Sequence, residues 1–292
     1  MIKKFLFCFL FLSLKCFGQS LIPNPPQLTA TSYLLLDAKT LKIISENNAE
    51  QSTGLASITK IMTAYVVADQ IQKGYLSGSS LVKISEKCWR MEGSRMFIKE
   101  GTEVSVSDLM LGIIVQSGND ASCALAEHIA GSEYDFAELM NDYARQMNLE
   151  ETNFMNPTGL PDVNHYSTAE DIAKLSIKLI QDFPETYKIF SQKEFTYNEI
   201  RQLNRNSLLW QDDSIDGIKT GHTSTSGYCM VSSAKRGDMR LIAVTLNSSS
   251  EKSRLRDSRR LLDYGFRYYT TKKIISKYEP ITLVDVWAGS ED

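Results

Sequence analysis

The sequence predicts a mixed α/β (α+β) fold: a mainly antiparallel sheet built from strands at both ends of the chain, with flanking helices and a helical insertion. Three observations predict it. Residues 27–48 read as two strands around a turn, residues 57–183 carry helical spacing, and strand patterns return after Gly227 before a last amphipathic helix. With 292 residues, 42% of them hydrophobic and 23% charged, the chain can form one large domain around a packed core.

The chain opens "MIKKFLFCFLFLSLKCFGQS". Lys3 and Lys4 form a basic start, and Phe5 to Leu14 is an apolar run too short to span a membrane. Cys16 and Gly18 stand at −3 and −1 of a cleavage after Gly18, so residues 1–18 are expected to be a signal peptide. Lys15 departs from that pattern and also fits poorly before a lipid-modified Cys16; an uncleaved anchor is the competing reading. Export follows from the leader.

"QLTATSYLLLDAKTLKIISENN" (27–48) reads as two strands joined at "DAKT". Near residues 57–72 the spacing turns helical, with Ile58, Ile61, Met62, Tyr65, Val66 and Ala68 on one stripe. "SVSDLMLGIIVQ" (105–116) reads as a second helix, "DASCALAEHIAG" (120–131) as a third ended by Gly131, and "EYDFAELMNDYARQMN" (133–148) as a fourth. "STAEDIAKLSIKLIQDF" (167–183) is a fifth, with Ser167 or Thr168 as its N-cap. "GYCMVSSAKR" and "MRLIAVTLNSS" form adjacent strands around the turn "RGD", and residues 251–269 form a closing amphipathic helix. "PITLVDVWAGSED" begins a new strand after a proline, so residues 273–292 are expected to be a linker and the start of a truncated β-rich second domain, after a catalytic domain over 19–272.

The formal charge is −3; without residues 1–18 it is −6, with 29 basic against 35 acidic residues. That excludes a general nucleic-acid binder, which needs a basic face. Outside the leader three cysteines remain, Cys88, Cys123 and Cys229, so at least one is unpaired within a single chain. No Cys/His cluster has zinc-ligand spacing, and neither a structural metal nor a disulfide scaffold is expected.

The chemistry begins at "ASITKIMTA" (56–64). Ser-x-x-Lys occurs four times, at Ser57/Lys60, Ser80/Lys83, Ser232/Lys235 and Ser249/Lys252. Ser80/Lys83 does not open an apolar helix and the last two pairs lie beyond Lys219; Ser57/Lys60 does open one, where residues three apart share a face and the positive helix end favours a developing oxyanion. A serine needs a base to attack a carbonyl, and lysine serves only when neutral. Lowering its pKa from about 10.4 to near 7 costs on the order of 4–5 kcal/mol. Burial with a second cation nearby can supply that shift. Lys219, in the chain's one Lys-Thr-Gly (219–221), is the candidate second cation, and Gly221 allows close approach to a strand edge. Taken alone, that stretch is equally well a polar turn before a strand. Ser117-Gly118-Asn119 lies between two apolar helices; its other reading is an interhelical loop with an N-cap, and Ser45/Asn47 shows that the spacing is common.

Ser-x-x-Lys, Ser-x-Asn 60 residues on and Lys-Thr-Gly 102 residues later stand in the order found in penicillin-binding proteins and class A β-lactamases. With "GSRMFI", "NPTGL", "HYSTAEDIAKL", "NRNSLLW" and "DGIKTGHT", residues 27–270 closely resemble the D-alanyl-D-alanine carboxypeptidases, the low-molecular-mass penicillin-binding proteins. The resemblance implies a β-lactamase/transpeptidase-like fold, peptidoglycan stem peptides as substrate, β-lactam antibiotics as covalent inhibitors, a role in the cell wall and cell shape, and no cofactor. The resemblance also implies a location in the periplasm or at the outer face of the cytoplasmic membrane of a bacterium, and a peripheral membrane attachment through a C-terminal segment beyond Asp292. Ser57 would be the nucleophile and Lys60 its base. Ser117 would relay a proton to the leaving amine, and Asn119 would hold the substrate amide. Lys219 would supply charge, Thr220 would meet the substrate carboxylate, and the N–H groups of Ser57 and His222 would form the oxyanion hole. Arg205 and Arg254 fall where the family places arginines near that carboxylate, and Asp171 would shape the site.

The alternatives are a D,D-endopeptidase using the same residues, a β-lactamase and a wall-binding pseudoenzyme. A class A β-lactamase needs Glu-x-x-Leu-Asn; Glu150, Glu151 and Glu194 lack that context. The intact Ser57, Lys60, Asn119 and Lys219 argue against a pseudoenzyme.

Overall fold

The computed structural model describes residues 22–275 and 280–282. The expected signal peptide and most of the expected linker and second-domain start over 273–292 lie outside the described residues.

From the N-terminal side come β1 (Ser32–Asp37) and β2 (Ile43–Asn47), an antiparallel hairpin. A 3₁₀ turn, Ala56–Thr59, then feeds α1 (Lys60–Gln72). The insertion follows: β3 (Leu81–Lys83), α2 (Glu86–Trp89), β4 (Glu103–Ser105) and α3 (Val106–Leu111), which runs into a π-helical turn over Gly112–Gln116. Next are α4 (Asn119–Ala130), α5 (Glu133–Gln146), α6 (Ala169–Asp182) and α7 (Pro184–Tyr187). β5 (Glu194–Tyr197) and β6 (Ile200–Leu203) form a small hairpin. The chain returns to the main sheet with β7 (Ile215–Thr223), β8 (Gly227–Arg236) and β9 (Met239–Ser248), then closes with α8 (Glu251–Tyr268).

The main sheet has the order β2-β1-β9-β8-β7 among the described residues, with every pair antiparallel. The two ends of the chain meet at β1 and β9, as expected from their strand patterns. Side-chain alternation sorts the two faces. Leu34, Leu36, Val231, Ile242 and Val244 pack into the large core with the helices of the insertion. Leu35, Met230, Leu241 and Ala243 pack on the other face with Leu261, Leu262 and Tyr264 of α8.

The expected helix over 105–116 is α3 running into the π-helical turn, with Ser105, the last residue of β4, as N-cap accepting from the Asp108 N–H. Thr168 rather than Ser167 caps α6, accepting from the Asp171 N–H. β7 is a strand that the residue pattern did not announce. Cys88 and Cys123 form a disulfide that joins α2 to α4, leaving Cys229 free and buried.

Candidate active site

Ser57 lies half-buried in the 3₁₀ turn, and Lys60 opens α1 with its side chain wholly out of water. The Lys60 Nζ lies 3.0 Å from Ser57 Oγ, 2.7 Å from Asn119 Oδ1 and 2.7 Å from the Thr158 carbonyl oxygen. A neutral amine has two N–H donors and one lone pair. The two carbonyl-type acceptors take the donors, and the lone pair then faces the Ser57 hydroxyl. Burial lowers the Lys60 pKa to about 7, against the opposing pull of the Asp120 charge.

The π-helical turn delivers Ser117. Its backbone is left-handed, with φ +66°, and its N–H and that of Gly118 both donate to the Gly112 carbonyl. π-helical turns of this kind recur at functional sites. Ser117 Oγ accepts from Lys219 Nζ at 2.8 Å. Lys219 is held well below the ordinary lysine range, first by burial and then by the charges of Lys60, Arg254 and Arg205. The second cation is therefore subordinate. Burial leads on both lysines.

Asn119 starts α4. Its backbone N–H donates to the Ser94 carbonyl at 2.7 Å and its Nδ2 to the Glu92 carbonyl at 2.6 Å. The Asp120 carboxylate accepts from the N–H groups of Met96, Phe97 and Ile98. One helical turn thus fixes Lys60 on one side and the 92–98 loop on the other. Burial raises the Asp120 pKa despite these donors.

The opposite wall is β7, the edge strand beside Ser57. A Cβ added at Gly221 would lie 2.9 Å from the Leu55 carbonyl oxygen and 3.1 Å from the Ser57 nitrogen, so glycine lets the strand meet the nucleophile turn. Ser57, Ser94, Ser117, Thr220, His222 and Arg254 line a cleft of about 210 Å³ together with Arg205, Gly221 and Glu251. Lys60, Asn119 and Lys219 sit buried behind it. The exposed His222 ring stacks on Tyr228 with centroids 4.0 Å apart. Arg254 Nη1 donates to the Gly221 carbonyl at 3.1 Å and Nη2 to Glu251 at 3.0 Å, while its buried Nε has no partner.

All ten expected residues thus gather at one place. Asp171 stands apart: its carboxylate accepts from the Glu151 N–H and the Thr152 hydroxyl, which ties down that turn without lining the cleft. Glu150, Glu151 and Glu194 do not line it either, and Glu194 pairs with Arg201. A larger groove, about 440 Å³ between Gly54 and Asp162, holds no part of the Ser-Lys pair. Among the described residues one group of metal-capable side chains lies together, Cys88, Cys123 and Glu127, and its two sulfurs are bonded to each other. Ser94, Asp120, Thr158 and Glu251 were not singled out from the sequence. Asp120 was legible beside Ser-Gly-Asn, whereas Thr158 acts through its carbonyl, which carries no residue-type signal.

A family model described as D-alanyl-D-alanine carboxypeptidase matches residues 19–250. D-alanyl-D-alanine carboxypeptidase DacA of Haemophilus influenzae is 43% identical over 274 residues, covering 92% of this chain and 70% of the relative. Among solved structures, penicillin binding protein 5 from Haemophilus influenzae superposes with a TM-score of 0.82 at 46% identity, over 84% of this chain and 73% of that one. Penicillin-Binding Protein D2 from Listeria monocytogenes, solved in the ampicillin-bound form, gives a TM-score of 0.77 at 29% identity, over 84% of this chain and 100% of that one.

Proposed function

The chain belongs to the D-alanyl-D-alanine carboxypeptidase family and is a serine peptidase of that activity, and we propose that it works through an acyl-enzyme on Ser57, with peptidoglycan stem pentapeptides as substrate. The observation that carries this is the dry Lys60 amine, 3.0 Å from Ser57 Oγ, with its two other contacts made to uncharged acceptors.

Lys60 takes the Ser57 proton as Oγ attacks the penultimate D-Ala carbonyl. The oxyanion lies against the N–H groups of Ser57 and His222; losing one such donor typically costs about 10²–10³ in rate. The carbon–nitrogen bond then breaks, and the proton that Lys60 took from Ser57 passes through the Ser117 hydroxyl, which is bonded to Lys219, to the leaving amine, so that Lys60 is neutral again. Thr220 and Arg254, with Arg205 at the rim, hold the terminal carboxylate. Asn119 meets the substrate amide by sharing the Nδ2 that contacts Glu92. Water, activated by Lys60, hydrolyses the ester and restores Ser57. A β-lactam acylates Ser57 by the same first step, with its opened ring still attached. The leader at 1–18 directs this chemistry to the cell wall outside the cytoplasm, with the catalytic domain over 19–272.

D-Ala release from a pentapeptide, compared with Ser57→Ala, tests the assignment. Wild-type release and its loss in Ser57→Ala are expected, and equal activity in the two proteins sinks it. Faster cleavage of cross-linked peptides than of pentapeptide favours the endopeptidase reading instead.

A further inference from the structure

The turn that presents Ser57 is conformationally costly. Ala56, immediately before the nucleophile, has φ +49°, a left-handed backbone that non-glycine residues rarely adopt. Something must over-determine it. The Ala56 carbonyl accepts from Thr59 Oγ1 at 2.8 Å, and Thr59 Oγ1 lies 2.8 Å from His165 Nε2. On its other side the ring accepts from the Met155 N–H through Nδ1, at 3.1 Å. These contacts fix every proton. Nδ1 is an acceptor, so Nε2 carries the hydrogen and donates to Thr59, whose own hydroxyl hydrogen goes to Ala56. The ring is buried, packed edge-on against Phe154 at 5.7 Å, and its pKa is lowered to about 4 by burial first.

The segment that carries His165 also carries Thr158, the carbonyl partner of Lys60. Asn156 Oδ1 pins it by accepting from the N–H groups of Thr158, Gly159 and Leu160. Gly159 brings it against the turn, since a Cβ there would lie 1.8 Å from the Ala56 carbonyl oxygen. One loop thus sets both members of the Ser-Lys pair, one through a carbonyl and the other through a histidine.

We propose that His165 is a positioning residue for the nucleophile, acting through Thr59 on the Ala56 carbonyl so that Ser57 Oγ and its N–H face the cleft. The proposal rests on Ser57 as the acylated residue. It assigns His165 no proton transfer and no contact with substrate.

The test compares wild type, Thr59→Val, Thr59→Ser, His165→Phe and the Thr59→Val/His165→Phe double variant. Read-outs are the acylation rate with labelled penicillin, kcat and KM for D-Ala release, and Tm. Thr59→Val and His165→Phe should each lose about 10–100-fold in kcat and in acylation, with KM within about threefold, as small misplacements do. The double variant should be no worse than the poorer single, because one chain is cut twice. Thr59→Ser should return to within about threefold of wild type. Wild-type kcat in either single variant, additive losses, failed rescue by serine, or losses that simply follow Tm would overturn the proposal. If Thr59→Val does not fold, His165→Phe, which keeps the ring packing, decides. A wild-type protein that takes no penicillin and releases no D-Ala would instead remove the Ser57 reading itself.

Discussion

Lys60 is fully buried, so its charge state is set by the protein. Below about pH 7 the amine is protonated, loses the lone pair facing Ser57 and cannot act as a base. Acylation by labelled penicillin should therefore fall about tenfold per pH unit below about 7 and level off above it. A flat profile down to pH 5 would exclude Lys60 as the base. The same shift has a stability consequence. The unfolded lysine keeps its proton up to its ordinary 10.5, while the folded one releases it near 7. Between those values the unfolded state binds more protons, so this group makes stability rise with pH across that window. Ser57, Lys60, Ser117, Asn119 and Lys219 were legible because reactive side-chain types in fixed order leave a pattern in the sequence. The dominance of burial over the Lys219 charge was not legible, because burial is decided by residues from distant segments. Thr158, 98 residues from Lys60, is one of them.

Helices with caps and stripes could be read almost to their ends. α4 stops before Gly131 and α6 starts after Thr168. β7 could not, since "IDGIKTGHT" has two glycines and little alternation, and its strand geometry comes from pairing with β8. The apolar run over 105–116 also hid its division, because the π-helical turn keeps the same buried residues as a helix while bringing Ser117 into a left-handed backbone. β7 and the 3₁₀ turn meet where Gly221 faces Leu55 and Ser57. Gly221→Ala must push the strand off the nucleophile turn by a few tenths of an ångström or more. It should cut acylation at least about tenfold while the protein stays folded, since misplacement costs rate before it costs stability. Penicillin labelling of a variant with wild-type circular dichroism checks this, and an unchanged rate would mean that the turn yields freely.

At the scale of the molecule, the sheet depends on both ends of the chain, with β1 and β2 from one and β7, β8 and β9 from the other. That closure was read correctly from strand patterns alone. The small β3–β4 and β5–β6 strand pairs were not, because segments of three or four residues carry no usable period. The seam between the ends also has a polar clasp. Asp257, fully buried on α8, accepts through Oδ2 from the Thr29 N–H at 2.8 Å, the Thr29 hydroxyl at 2.6 Å and the Ala30 N–H at 3.2 Å. Asp257→Ala would leave the buried Ala30 N–H without an acceptor, remove the Thr29 contacts just before β1, and should lower stability by roughly 2–4 kcal/mol. For a domain of this size that is a fall of about 5–15 °C in Tm. The cleft takes Glu251 and Arg254 from the first turn of α8, but Thr29, Ala30 and Asp257 do not line it. Acylation per folded molecule should therefore stay within about twofold of wild type. Thermal melts and penicillin labelling on the same sample separate the two effects. A large rate loss without a Tm change would show that the closure of the two ends tunes the site rather than holding the fold together.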